Sequence, residues 1–136
     1  MDELIDYITN YIDNLNISLG ATEQLGATFL ILGYSKFFIG ADMDILMASG
    51  ALEESKMPDE IYLYGQTLSL IGYIILFIVS YKRYNELLYK ELYLNDYFNL
   101  SSYLLLVQSY FLSVIANSLR VVAFTSIVSY NNQTSS

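Results

Sequence analysis

Residues Ile61 to Tyr81 read IYLYGQTLSLIGYIILFIVSY, without one charged side chain. As a helix, about 20 mainly apolar residues cross the ~30 Å of hydrocarbon in a bilayer. Apolar side chains fall on every face of this run, unlike the one-sided stripe of a helix resting on a soluble core. A chain of 136 residues has little else with which to surround such a helix, so the run predicts a transmembrane span.

Two further apolar stretches flank it, at about 25–50 and 98–130. The first carries Lys36, Asp42 and Asp44, and the third is longer than one crossing needs and carries Arg120. A tilted helix that extends past the bilayer accounts for the third. Backbone polar groups in lipid must be satisfied within the segment, so helices are expected for all three. The expected fold is an all-α integral membrane protein with three transmembrane helices, in one membrane domain covering residues 1–136. Pro58, Asp59 and Glu60 suit the first turn of the second helix, and Thr22 with Glu23 suits the start of the first. The polar tail Asn131–Ser136 has nothing to pack against. Met1, Asp2 and Glu3 are acidic where a secretory signal is basic, so no cleavable signal is expected, and the first span serves as its own insertion signal.

Leu4, Ile5, Ile8, Tyr11, Ile12 and Leu15 recur at helical spacing, opposite Asp2, Asp6, Asn10 and Asp13. This predicts an amphipathic helix at about 2–17. Its polar face is acidic, which lipid headgroups repel, so it is expected to dock on protein: a partner, or the chain's own cytoplasmic segment. Residues 82–97 also read as helical, with Glu86 and Lys90 at i,i+4, and extend the second span outward. They hold Lys82, Arg83 and Lys90, against Lys56 alone in the 51–60 connection. The excess of positive charge places residues 82–97, and with three crossings the N-terminus, in the cytoplasm. Tyr62, Tyr64, Tyr81, Tyr84, Tyr97 and Tyr103 fall near the two interfaces, as an aromatic belt would.

Small residues repeat every seven positions in each span. They are Gly26, Gly33 and Gly40 in the first, Gly65 and Gly72 in the second, and Ser102, Ser109, Ala116 and Ala123 in the third. Small residues let membrane helices approach closely, and a seven-residue period favours a left-handed crossing. The three stripes predict helix packing, within one chain or between copies.

Ionisable residues at bilayer depth are costly and point to function. Lys36 shares a face with Gly33 and Gly40 and lies roughly 16 Å along the first span, near the midplane. Asp42 and Asp44 lie roughly 26–28 Å along it, and Arg120 about 30 Å along the third, on a polar face with Ser113, Ala116 and Asn117. With the two helices parallel, Arg120 is expected to pair with Asp42 or Asp44. Lys36 has no acid at its own depth, so its expected partner is a polar side chain such as Ser109, or a carboxylate on another subunit.

The chain has no Cys and no His, which removes thiolate chemistry and the commonest metal ligand and general base. Six basic residues against fourteen acidic ones, net charge −8, argue against nucleic acid as a partner. No phosphate-binding glycine loop, metal-ligand spacing or hydrolase elbow occurs. Glu53-Glu54 and Asp59-Glu60 read as a solvated turn. Asn16, Asn99 and Asn132 start glycosylation patterns of low specificity, only the last on the outer side. No enzyme, cofactor or metal is expected.

The expected function is that of a small non-catalytic, multi-pass subunit of a larger membrane complex, packing against other integral subunits through small-residue faces. The alternative is a homo-oligomeric channel or pore, with Lys36, Asn117 and Arg120 lining a wet path. In size and number of crossings the chain resembles phage holins in outline, without the charged tail with which holins commonly end. A transporter fits less well, since the two halves show no repeat.

Overall fold

In a computed structural model, residues 1–134 are described, and they form three long α-helices in an up-down-up arrangement. These are α1 (Asp2–Ala48), α2 (Met57–Leu94) and α3 (Leu100–Gln133). Among the described residues, α2 and α3 are long and apolar enough to cross a membrane; α1 is not.

The amphipathic segment and the first apolar stretch are not separate elements. They run together as one helix of 47 residues. Thr22 does not cap: its hydroxyl donates to the Ser18 carbonyl at 2.9 Å, one turn back, and leaves the backbone ladder intact. Likewise α2 continues beyond Tyr81 to Leu94, so most of the 82–97 segment prolongs the apolar helix. Pro58 sits in the first turn of α2, where its missing N–H costs nothing. The helix stops at Asn95, which takes a left-handed conformation (φ 53°) that Asn tolerates. Asn99 then caps α3, its side chain accepting from the Ser102 amide at 3.3 Å. The C-terminal residues Asn131–Gln133 are helical rather than a loose tail; Ser135 and Ser136 lie outside the described residues.

The middle helix is the centre of the fold. α2 packs against both α1 and α3, while the backbones of α1 and α3 do not come close to each other. A third of the apolar window of α2 is buried, against 6% of that of α3. Of the two, α3 is therefore much the barer.

The α1–α2 contact is built on glycine. A Cβ on Gly33 would fall 2.7 Å from the Gly65 carbonyl oxygen and 2.3 Å from the Ser69 hydroxyl. One on Gly65 would fall 2.8 Å from the Gly33 carbonyl, and one on Gly72 2.9 Å from the Gly26 carbonyl. Backbone therefore lies directly on backbone at two levels, which only glycine permits. At Gly40 the neighbour is the Tyr62 ring, 2.7 Å from where a Cβ would stand. The predicted stripes of the first two spans are thus each other's partners.

Candidate functional site

The zipper fixes the register of the bundle. Gly26 faces Gly72, and Gly33 faces Gly65. The uncharged run 61–81 of α2 is therefore level with roughly residues 19–40 of α1, rather than with 25–50. Lys36 packs its Cβ side against Gly65, only about 6 Å from the Ile61 end of that run, and not at its middle. Its ammonium lies over the Tyr64 ring, 5.5 Å from the centroid. The aromatic face is the partner that the sequence reading did not find: a cation–π contact, rather than Ser109. Ser109 donates instead to the Leu106 carbonyl at 2.8 Å in its own helix.

Asp44 lies beyond the end of the run and accepts a hydrogen bond from the Tyr62 hydroxyl at 2.7 Å. Phe37 meets Phe124 at 6.1 Å between ring centroids, and both meet Tyr62 at 5.6 and 5.8 Å. This aromatic cluster is where α1 and α3 touch, and it sets their relative level. Arg120, one turn deeper than Phe124, is level with about residue 33 of α1. Asp42 stands about nine residues, roughly 13 Å, further along. The expected pair of Arg120 with Asp42 or Asp44 is not formed, and the arginine is exposed. Among the described residues Arg120 makes no ion pair; the Tyr73 hydroxyl, which is paired with that of Tyr34 at 3.0 Å, lies within range of its charge.

Asn117 turns away from Arg120 and into the α2–α3 seam. Its Oδ1 accepts from Gln66 Nε2 at 2.5 Å, and its own Nδ2 donates to the Ser113 carbonyl at 2.7 Å. Gln66 is 2% exposed and Asn117 3%, so the pair is shut away from solvent. It is the one side-chain hydrogen bond joining α2 to α3 within the uncharged run 61–81 among the described residues, and it pins their register. Nearby, Ser69 is 1% exposed and its hydroxyl finds no hydrogen-bond partner among the described residues. It is wedged where Gly33 lacks a side chain.

The seam of α3 is not the one its small residues suggest. Val107, Tyr110, Val114, Asn117, Val121, Phe124, Val128 and Asn131, all buried or half-buried, form a row spaced by alternating threes and fours, with half-buried Ser113 and Ser118 beside it. Ser102, Ser109, Ala116 and Ala123 are all exposed, along a neighbouring face that also carries Arg120. A third small-residue stripe exists, then, and it stays exposed among the described residues.

Charged groups gather at the two ends. At the α2–α3 turn end, Arg83 pairs with Glu23 at 2.8 Å, and Glu86 with Lys90 at 3.2 Å. Asn16 of α1 donates to Glu86 at 2.7 Å, and Ile8, Ile12 and Leu19 are buried. The amphipathic N-terminal segment therefore docks on its own chain, along the extension of α2. At the other end, Asn131 donates to Asp59 at 2.7 Å, and its carbonyl accepts from Lys56. Among the described residues no cluster of acids could hold a metal ion. Comparison with protein-family models, with curated proteins and with solved structures finds no match.

Proposed function

We propose that the chain is a small, non-catalytic, three-span subunit of a larger membrane complex. The carrying observation is the outer face of α3: a bare row of small residues, Ser102, Ser109, Ala116 and Ala123, beside an exposed Arg120 without an acid. The run 61–81 is about 31 Å long as a helix, which matches the hydrocarbon thickness. Set in a bilayer on that run, α1, too polar to qualify as a span by its own composition, crosses as well because the glycine contacts hold it along α2, with Lys36 near one interface. The Lys82, Arg83 and Lys90 end then faces the cytoplasm.

In that setting Arg120 is costly facing lipid, and a carboxylate on a docked helix would offset much of that cost. A second copy of the chain in the same orientation offers Glu60 of α2 as its nearest acid, and this stands roughly 5–9 Å toward the interface from the level of Arg120. At the level of Arg120 it would bring Lys36, Tyr64 and another Arg120, whereas Asp42 and Asp44 stand two or more turns away. A different helix, with an acidic side chain level with Arg120 and small residues of its own, would meet the arginine more directly than a second copy, and is the partner we infer.

The test is native mass spectrometry of the protein extracted from its own membrane in mild detergent. Different chains bound in fixed ratio are expected, and Arg120→Leu or Ala116→Leu is expected to release them. A closed ring of identical chains would overturn this reading and favour a pore. A monomer would overturn both.

A further inference from the structure

Between the N-terminal part of α1 and the extension of α2 lies an open cavity of about 580 Å³. That size is within the range of small-molecule sites. Its walls include Tyr7 and Tyr11, one turn apart on α1, and Tyr89, Lys82 and Glu86 on α2. Glu86 has a side chain only 3% exposed, and both of its contacts, from Asn16 and Lys90, engage Oε1. No hydrogen bond to Oε2 is formed among the described residues. Lys82, one turn earlier on the same helix, is exposed and makes no ion pair or hydrogen bond among the described residues. The cavity lining thus combines a carboxylate with one uncommitted oxygen, a cation with no partner among the described residues, and three electron-rich rings.

We propose that this cavity binds a zwitterion that joins a phosphodiester to an ammonium group, as the headgroup of a zwitterionic phospholipid does. The Lys82 ammonium takes the phosphodiester oxygens through charge-assisted hydrogen bonds. The ligand's ammonium lies among the Tyr7, Tyr11 and Tyr89 rings, with Glu86 Oε2 as its counter-charge. A purely anionic ligand would meet the Glu86 carboxylate, and a purely cationic one would meet Lys82. Lys82 directly follows the uncharged run, so the cavity opens at the depth where headgroups lie. That last point rests on the membrane placement proposed above; the cavity chemistry does not.

The test is isothermal titration of the full chain in an uncharged maltoside detergent. Glycerophosphocholine and short-chain phosphatidylcholine are the probes, with short-chain phosphatidylglycerol and choline alone as comparisons. Saturable one-site binding of the zwitterions is expected, at least tenfold tighter than the comparisons. Lys82→Gln, and separately Tyr7→Leu with Tyr11→Leu, are expected to weaken it about tenfold with circular dichroism unchanged. These residues are exposed, so the variants keep the fold. Absence of saturable heat, equal binding of phosphatidylglycerol, or an unchanged Lys82→Gln variant would each overturn the proposal. Binding of glycerophosphocholine without the lipid would assign the site to a soluble zwitterion. Alkaline extraction of native membranes reads the placement separately: release of the chain would refute the three-span reading, whatever the titration gives.

Discussion

Gly33→Ala tests the zipper at its tightest point. The added methyl would stand 2.7 Å from the Gly65 carbonyl oxygen and 2.3 Å from the Ser69 hydroxyl. An ordinary carbon–oxygen contact needs about 3.3–3.6 Å. Ser69 can rotate, but Gly65 O is backbone, so the helices must part by roughly 0.6–0.9 Å. A gap of that order forfeits a quarter to a half of each dispersion contact nearby. Overpacking of this kind costs typically 1–3 kcal/mol, and the better helix propensity of alanine returns at most about 1. The net expectation is a loss of about 1–2 kcal/mol. Gly20→Ala is the internal control. It lies in the same helix, a Cβ there would meet nothing within 4 Å, and the change is expected to stabilise by about 0.5–1 kcal/mol. The assay is titration with sodium dodecyl sulfate from mixed micelles, followed by near-ultraviolet circular dichroism of the tyrosines, which responds to packing. If Gly33→Ala proves as stable as Gly20→Ala, the close backbone approach is wrong.

Other expectations follow from single contacts. Gln66→Leu or Asn117→Leu leaves a buried amide without its partner and is expected to cost about 1–3 kcal/mol, while the double variant costs less than the sum; the same titration, run as a double-mutant cycle, checks this. Asn99→Ala removes the cap of α3 and should cost about 1 kcal/mol, read as lower protection of the first-turn amides in hydrogen exchange. Glu23→Gln breaks an ion pair whose members are a third and a half exposed, so the loss should stay under about 1 kcal/mol and vanish in high salt. Tyr64→Leu removes the ring beneath Lys36 and is expected to cost about 0.5–1 kcal/mol, which Lys36→Leu in the same background should largely restore; thermal melts of the wild type and the two variants decide it.

The helices were legible because their apolar runs are long, and the start of α2 because Pro58 is a local signal, whereas the helical reading of 82–97 overran the stop at Asn95. The glycine stripes of α1 and α2 were legible too, since seven-residue spacing of Gly has few other uses in an apolar helix. Three things depended on register, which no local pattern carries. Lys36 finds Tyr64 across the helix pair, Asp44 finds Tyr62, and Arg120 misses both aspartates because the Phe37–Phe124 contact offsets α3 from their level. The α3 seam was misread for a different reason. Its valines and aromatics form a regular three-four pattern, but in a helix apolar on all sides that pattern has no contrast. Only Asn117 stood out, and Gln66 as the bulkiest purely polar side chain of its run was the available signal for its partner.

The 47 residues of α1 have a mechanical consequence. No proline or turn separates the segment beside the cavity from the segment in the zipper. Residues 2–18 project about 25 Å past the level of Tyr81, as the long arm of a lever whose fulcrum is the Gly26–Gly72 contact. Whatever fills or empties the space between Tyr11 and Tyr89 therefore cannot move that arm alone. A tilt there is transmitted along the rod as torque on Gly33 and Gly40, where there is no slack to absorb it.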